Sequence, residues 1–126
     1  MKKVINTPNA PASIGTYSQA IEVNNLIFTS GQVGIDPAKG KLVTGGIEAE
    51  ARQVLKNIHL ILIDAGLNKD NIIKLTVFLT DLNQFSIINE TFKAFFGGTD
   101  FPARSTVEVS KLPLGALVEI ECIASR

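Results

Sequence analysis

The sequence predicts an α+β protein in which two helices cover one face of a single β-sheet. Two segments carry apolar residues at spacings of three and four, which is typical of amphipathic helices, and the segments around them alternate apolar and polar residues as half-buried strands do. The predicted order is two strands, a loop, a helix, a strand, a second helix and two final strands. No linker or repeat interrupts this order, so we interpret residues 1–126 as one domain.

Segment 18–31, "SQAIEVNNLIFTSG", predicts the first two strands. Ile21 and Val23 alternate with polar neighbours, and two asparagines, which tolerate the positive φ of a tight turn, precede Leu26 and Phe28. Glycine and proline are frequent in the next segment, "GQVGIDPAKGKLVTGG". We therefore expect a loop there, with a short edge strand at 41–43.

The two helices are predicted at 47–65 and directly after Asp81. The first ends before Gly66, and the second runs from its Asp81 cap to Gly97. Apolar residues mark the inward positions of both helices: Ile47, Ala51, Val54, Leu55, Ile58, Ile61, Leu62 and Ala65 in the first, and Leu82, Phe85, Ile88, Phe92 and Phe95 in the second.

The remaining strands are predicted at 72–79 and in a terminal hairpin, "PARSTVEVSKLPLGALVEIE", at 102–121. In the first of these strands we expect Ile73, Leu75, Val77 and Leu79 to face the helices. The opposite sheet face would then expose a set of apolar side chains: Ile72, Phe78, Leu117 and Ile123. The sequence therefore predicts a symmetric oligomer that packs through this open face.

Composition excludes several classes of protein. Hydrophobic residues make up 45% and charged residues 19%, which is ordinary for a globular domain. Twelve basic and 12 acidic residues give a net charge of zero without a basic stripe, so nucleic-acid binding is not expected. The N-terminal segment has no apolar signal-peptide core, no stretch is long enough to span a membrane, and the single cysteine suits a reducing compartment. We expect a cytoplasmic protein.

The sequence gives little support for a catalytic nucleophile or a metal site. His59 shares a helix face with Arg52 and Lys56, opposite the apolar stripe, and is expected in solvent, whereas Cys122 alternates in phase with core positions. One His and one Cys do not supply a zinc site, and phosphate-binding loops and dinucleotide fingerprints are absent.

Two charged residues in the terminal hairpin remain as candidates. Alternation places Arg104 and Glu119 opposite the apolar residues of their strands, so we expect both on the open sheet face. An ion pair in an interface is one interpretation. The other is a site for a small anion that reacts with water, because a guanidinium binds a carboxylate through both oxygens and a nearby Glu can orient or deprotonate a water molecule.

Three segments resemble the RidA family, also called YjgF/YER057c/UK114. They are "GTYSQAI", "IFTSGQVGIDP" and "FPARSTVEVSKLPLGALVEIE", and the resemblance extends over essentially the whole chain. It implies a chorismate-mutase-like fold with a mixed sheet, and a homotrimer with a site in each cleft between subunits. It also implies hydrolysis of reactive 2-enamino and 2-imino acids, such as 2-aminoacrylate and 2-aminocrotonate, to 2-oxo acids and ammonia, without a cofactor.

The resemblance assigns a role to individual residues. Arg104 matches the arginine that binds the substrate carboxylate, and Glu119 the acid that positions the attacking water. Other residues match positions that line the pocket: Tyr17, Ser30, Gly31 and Asn89. The chain departs from the family at two positions. Thr16 replaces a proline before the tyrosine, and Thr106 stands where many deaminases of the family have cysteine; we expect Thr106 to line the pocket and to be tolerated.

Three alternatives to the deaminase remain. Paralogues of this fold can lack the activity, so the chain could be a module that binds small carboxylic acids without reaction, or a holdase-type chaperone. RNA cleavage is a third alternative, and the zero net charge argues against it.

Overall fold

The computed structural model describes all residues from Met1 to Arg126, and it has the predicted α+β architecture. Two long helices and nine strands form the domain: β1 (Lys3–Ile5), β2 (Ala20–Val23), β3 (Leu26–Thr29), β4 (Gln32–Val33), β5 (Ile35–Asp36), β6 (Lys41–Leu42), α1 (Gly46–Asp64), β7 (Ile72–Leu79), α2 (Phe85–Phe96), β8 (Ala103–Glu108) and β9 (Val118–Ser125). The main sheet is mixed, in the order β1-β2-β3-β9-β7-β8, and β4 also pairs with β9. No helix is long and apolar enough to cross a membrane.

The predicted terminal hairpin is wrong, because β7 lies between β8 and β9. β8 runs parallel to β7, to which α2 connects it, whereas β9 runs antiparallel to β7. The connection from β8 to β9 passes the end of β7, where Val109 N–H donates to Leu79 O at 2.8 Å and Thr80 N–H donates to Leu117 O at 3.2 Å. Alternation identified both strands correctly but carries no information about which strand each one pairs with.

Both predicted helices form and bury one core against the sheet, but α2 begins only at Phe85, because Asp81 caps a short 3-10 turn before it. Gly66 and Gly97 take left-handed φ values of 81° and 83° where the helices end, conformations that glycine adopts without steric cost. The main core contains 20 buried residues from both helices and from one face of the sheet. Leu82 and Phe85 were predicted to belong to it, but they lie in and directly after a short 3-10 turn and are 42% and 40% exposed.

The open sheet face carries most of the apolar residues predicted there. Phe78 and Ile123 are half-buried and Leu117 is 37% exposed. Ile72 is the exception, since a β-bulge between Ile72 and Lys74 turns it into the core and leaves Ile73 48% exposed. The bulge exchanges the faces of two adjacent isoleucines, which a strict period of two does not anticipate.

Candidate active site

Glu119 lies in a cleft on the open side of the sheet. This Glu119 cleft has a volume of about 280 Å³ and contains several of the predicted site residues together with apolar neighbours: Pro11, Ala12, Ile14, Tyr17, Ser30, Gly31, Gln32, Val33, Ile35, Pro113 and Glu119. The N-terminal segment, the end of β3 and the start of β9 thus meet around one carboxylate. The structure brings together Tyr17, Ser30, Gly31 and Glu119, four of the predicted site residues.

Gly31 lies directly against the Glu119 carboxylate. A Cβ added at Gly31 would be 2.6 Å from Glu119 Oε2 and 2.8 Å from its carboxyl carbon, much closer than real Cβ contacts come. Only glycine therefore leaves space for the carboxylate in this position. β4 begins one residue later and pairs Val33 with Glu119, which fixes the backbone of the glutamate against the same segment.

Tyr17 and Ser30 are held by local hydrogen bonds. The Ser30 hydroxyl donates to Ser18 O at 2.6 Å, and the Tyr17 hydroxyl accepts from Ile14 N–H at 3.2 Å, so the 14–17 loop closes on the tyrosine ring. Gln19 fixes the N-terminal segment before this loop, where Pro11 also lines the cleft. Its buried amide donates to Pro11 O at 2.8 Å, and its Oε1 accepts from Thr7 N–H at 2.7 Å. Gln19 was not among the predicted site residues, because one glutamine before a strand carries no pattern.

Burial raises the pKa of Glu119 above its ordinary value, and the nearby Glu121 raises it further. Both effects favour the neutral acid, because burial removes solvation from the carboxylate and Glu121 adds a like charge. A raised pKa makes the Glu119 carboxylate a stronger base than an ordinary glutamate, which suits it to accept a proton from a water molecule.

Arg104 lies in a second cleft, between α2 and β8. This Arg104 cleft has a volume of about 480 Å³, and charged and aromatic residues line it: Asn89, Glu90, Phe92, Lys93, Phe101, Pro102 and Arg104. The Arg104 Nη2 donates to Asn89 Oδ1 at 2.7 Å. The guanidinium carbon is 5.0 Å from the ring centroid of Phe85 and 5.2 Å from that of Phe92.

The Arg104 guanidinium is free to bind an anion. No carboxylate lies within ion-pair distance, since the two ion pairs of the chain join Arg52 with Glu48 and Arg126 with Glu22. Partial burial lowers the pKa of Arg104, yet a guanidinium stays protonated near neutral pH. It therefore presents a positive charge whose other N–H donors have no partner within the chain.

Thr106 lies on the same side of β8 as Arg104. Its Oγ1 is buried and has no hydrogen-bond partner, although the residue as a whole is only partly buried. Buried hydroxyls are rarely left without a partner in folded proteins. This atom is therefore an unused donor and acceptor beside the candidate anion receptor.

The prediction that Arg104 and Glu119 share a sheet face is wrong. Arg104 pairs with the core residue Leu75 and so points to the helix side, whereas Glu119 pairs with Phe78 and points to the open side. β7 also separates their two strands. The predicted site residues thus fall into two separate groups, with Arg104 and Asn89 in one cleft and Glu119, Tyr17, Ser30 and Gly31 in the other.

The remaining candidates play no part in either cleft. Cys122 is buried in the core as predicted, and burial raises the pKa of its thiol to about 12. His59 is half-buried rather than solvated, because its ring packs edge-on against Phe95 with 5.8 Å between centroids. No group of His, Cys, Asp and Glu side chains is arranged to hold a metal ion.

Comparison with known proteins identifies relatives over the whole chain. Residues 7–126 match the model of the family described as Endoribonuclease L-PSP. A mouse protein named 2-iminobutanoate/2-iminopropanoate deaminase is 51% identical over 98% of this chain and 91% of its own length.

Two solved structures have the same fold. A Yersinia pestis protein, YyfA of the conserved Rid protein family, is 55% identical with a TM-score of 0.96, and the match covers 100% of both chains. The structure of Escherichia coli TdcF with bound serine is 43% identical with a TM-score of 0.93, and the match covers 98% of both chains. With these matches over nearly the full length, the chain that carries these two clefts belongs to the RidA (YjgF/YER057c/UK114) family.

Proposed function

We propose that this protein is a 2-iminobutanoate/2-iminopropanoate deaminase, which hydrolyses reactive 2-imino acids and their 2-enamino tautomers to 2-oxo acids and ammonia. The observation that carries the proposal is the pair of half-sites: an Arg104 guanidinium with free donors, and a Glu119 carboxyl group with a raised pKa that lies against Gly31. The name of the mouse relative supports the same reaction. No cofactor is needed, because an imine already reacts with water.

Arg104 binds the substrate carboxylate. Asn89 accepts a hydrogen bond from Nη2 and thereby fixes the plane of the guanidinium, while its other donors remain free for the two carboxylate oxygens. Charge-assisted hydrogen bonds of this kind contribute about 1.5 to 3 kcal/mol each. This contact orients the C=N carbon of the substrate, next to the carboxylate, toward the attacking water.

Glu119 orients and activates the water. The reacting form is the protonated iminium. As the water oxygen bonds to its C=N carbon, the C=N electron pair moves to nitrogen, which becomes an NH2 group, and Glu119 accepts a proton from the water. Glu119 then returns this proton to the NH2 group, the C–N bond breaks with its electron pair leaving on ammonia, and the hydroxyl oxygen forms the C=O bond as its proton passes to Glu119 and on to ammonia, so the products are a 2-oxo acid and ammonium. Positioning together with one general acid and base typically contributes about 10² to 10⁴-fold, which suffices for a reaction that already proceeds in water.

A complete site requires two copies of the chain, because Arg104 and Glu119 lie on opposite sides of one sheet. We infer a homotrimer of the chorismate-mutase-like type, with each site between the Glu119 cleft of one subunit and the Arg104 cleft of its neighbour. The exposed apolar residues of the open sheet face support this assembly: Phe28, Ile73, Val107 and Leu117.

The other site residues complete the pocket. Tyr17 and Ser30 line the Glu119 half, where Gly31 provides space for the carboxylate, and Thr106 lies beside Arg104 on the same side of β8. Thr106 is not needed as a nucleophile, since the reaction uses no covalent intermediate. Thr16 is exposed beside Tyr17 and leaves the tyrosine hydrogen bond in place.

The reaction fits the cytoplasmic location expected from the sequence.

Binding of a carboxylic acid without reaction is the second candidate. The serine in the structure of TdcF favours it, because serine offers the carboxylate that Arg104 is suited to bind. RNA cleavage is less well supported, despite the description of the family model, since the chain has no net charge and its single histidine is packed against Phe95.

A coupled assay tests the deaminase proposal. Threonine dehydratase converts threonine to 2-aminocrotonate and its imine, semicarbazide traps the imine, and the formation of 2-oxobutanoate is followed. Wild-type protein should outcompete the trap, while Arg104→Ala protein should not. Failure of the wild-type protein to compete, together with measurable binding of 2-oxobutanoate, would establish the binding module instead.

A further inference from the structure

Phe85 has no evident role in the core. It was predicted to face inward, but 40% of the residue is exposed at the first position of α2. Its one aromatic or cationic contact is the Arg104 guanidinium, whose carbon is 5.0 Å from the ring centroid. A large apolar side chain left half in solvent gains little from burial, so this contact is a better explanation for an aromatic residue at this position.

Phe85 belongs to a stripe of α2 that faces Arg104. Phe85, Asn89 and Phe92 follow each other at spacings of four and three, which places them on one side of the helix. All three contact the guanidinium, Asn89 through a hydrogen bond of 2.7 Å and the two phenylalanines through their rings. Phe92 is 4% exposed and also packs in the core, whereas Phe85 does not.

The turn before Phe85 is anchored to the strand that carries Arg104. Leu82 N–H donates to Glu108 Oε1 at 2.8 Å, and Asn83 N–H donates to Asp81 Oδ1 at 3.0 Å. Glu108 lies four residues after Arg104 on the same side of β8. The backbone from which Phe85 extends is therefore tied to the strand that carries Arg104.

We propose that Phe85 is a positioning residue for Arg104, and that its ring holds the guanidinium in the orientation that receives a substrate carboxylate. The inference rests on the proposed function, because Arg104 is the carboxylate receptor of that reaction. A ring under a guanidinium attracts the positive charge and restricts its plane, and it does so without using the N–H donors. A carboxylate competitor within the chain would occupy those donors, whereas an aromatic ring leaves them available.

Phe85→Leu tests this role, because it keeps an apolar side chain and removes the ring. We expect the dissociation constant of 2-oxobutanoate, measured by calorimetry, to rise about twofold to fivefold, the range of a partly exposed cation–π contact. The value of kcat/KM, obtained from the competition with semicarbazide, should fall by the same factor, because the substitution does not change Glu119 or the attacking water. Phe85→Tyr keeps the ring and should restore both quantities.

Phe95→Leu is the matched control. It removes another ring of α2 that lies under a cation, Lys69, at 5.5 Å from the centroid, outside both clefts. This variant is expected to lose thermal stability without a change in 2-oxobutanoate binding. Equal binding in Phe85→Leu and wild-type protein, or the same loss in Phe85→Tyr as in Phe85→Leu, would overturn the inference.

The two proposals fail in different ways. If wild-type protein does not compete with semicarbazide but Phe85→Leu still weakens 2-oxobutanoate binding, the deaminase proposal is wrong and the positioning role holds. If wild-type protein competes and Phe85→Leu competes equally well, the positioning role is wrong and the deaminase proposal holds.

Discussion

The Glu119 cleft and the Arg104 cleft hold their charged groups by different means. Glu119 lies against Gly31 and near the like charge of Glu121. Burial of its carboxylate and this like charge both raise its pKa. Arg104 lies among two rings and an amide, which orient the guanidinium while leaving most of its donors free. The first environment suits proton transfer and the second suits binding, so neither cleft alone is equipped for both steps of a hydrolysis.

The largest effect is expected when two inactive variants are mixed. Recovery of activity would show that each site takes residues from two chains rather than from one. Arg104→Ala and Glu119→Gln should each lose at least about a hundredfold in activity, since each removes a binding or proton-transfer group. In trimers assembled at random from equal amounts, about a quarter of the sites would combine an intact Glu119 cleft with an intact Arg104 cleft. We therefore expect the mixture to recover about a quarter of the wild-type activity after joint unfolding and refolding.

Each variant refolded alone serves as the control for this mixture and should remain inactive. A mixture that is no more active than its components, while native mass spectrometry shows that mixed oligomers have formed, would mean that one chain supplies both residues.

Gly31→Ala should disturb the Glu119 cleft and leave the Arg104 cleft intact. The new Cβ would push the carboxylate away, since it would lie 2.6 Å from Oε2. Displacement of a catalytic group by about 1 Å can cost about a hundredfold, so we expect kcat to fall tenfold to a hundredfold while 2-oxobutanoate binding is largely kept.

Gly34→Ala provides a contrast in the same segment. Its Cβ would lie 2.9 Å from the backbone of Glu50 in α1, which cannot rotate away. This variant should show a lower melting temperature rather than a selective loss of kcat. Loss of binding and of kcat to the same extent in Gly31→Ala would contradict the separate roles of the two clefts.

Features of the two clefts that depend on one segment of the chain could be predicted from the sequence, whereas features that depend on pairing between distant segments could not. The helices and their glycine ends were predictable, since periodicity and a terminal glycine are read within one segment. The side of the sheet on which Arg104 lies was not, because it depends on pairing with β7. Val107 is apolar yet 44% exposed on the open face, so alternation within β8 alone predicts the wrong sheet face for Arg104.

Phe85 illustrates the same limit on a helix. Helical spacing predicted that it faces inward, and it does lie on the side of α2 that faces β8. At that end of the helix, however, the facing residue is Arg104 rather than the core. An aromatic residue beside a cation has the same sequence pattern as an aromatic residue in the core.

The pH dependence of stability should reveal whether the two clefts meet. The raised pKa of Glu119 means that its ionised form is less stable in the folded than in the unfolded chain. Its contribution to stability is therefore present at low pH and is lost as the pH rises through the raised pKa. The positive charge of Arg104 from a second copy, across the shared cleft, would offset part of this loss without occupying the donors that bind the substrate.

We accordingly expect the melting temperature of Arg104→Ala protein to fall more steeply with rising pH than that of wild-type protein. Arg104→Ala/Glu119→Gln protein should lose this extra slope. Glu121→Gln in the Arg104→Ala background is a control that removes a neighbouring charge and should reduce the slope only in part. Parallel curves for wild-type and Arg104→Ala protein would show that the two groups do not interact.

The smallest effect is expected at Thr106, where the chain departs from many deaminases of its family. Thr106→Val keeps the shape of the side chain and removes the buried Oγ1 that has no partner. Removing such a group should raise stability by up to about 1 kcal/mol, and activity should change less than about twofold, because the hydrolysis needs an oriented water and a proton carrier rather than a nucleophile here. Thr106→Ser, which retains the hydroxyl, is the matched control. A tenfold loss of activity in Thr106→Val but not in Thr106→Ser would instead make the hydroxyl a substrate ligand, and would extend the binding role of the Arg104 cleft by one residue.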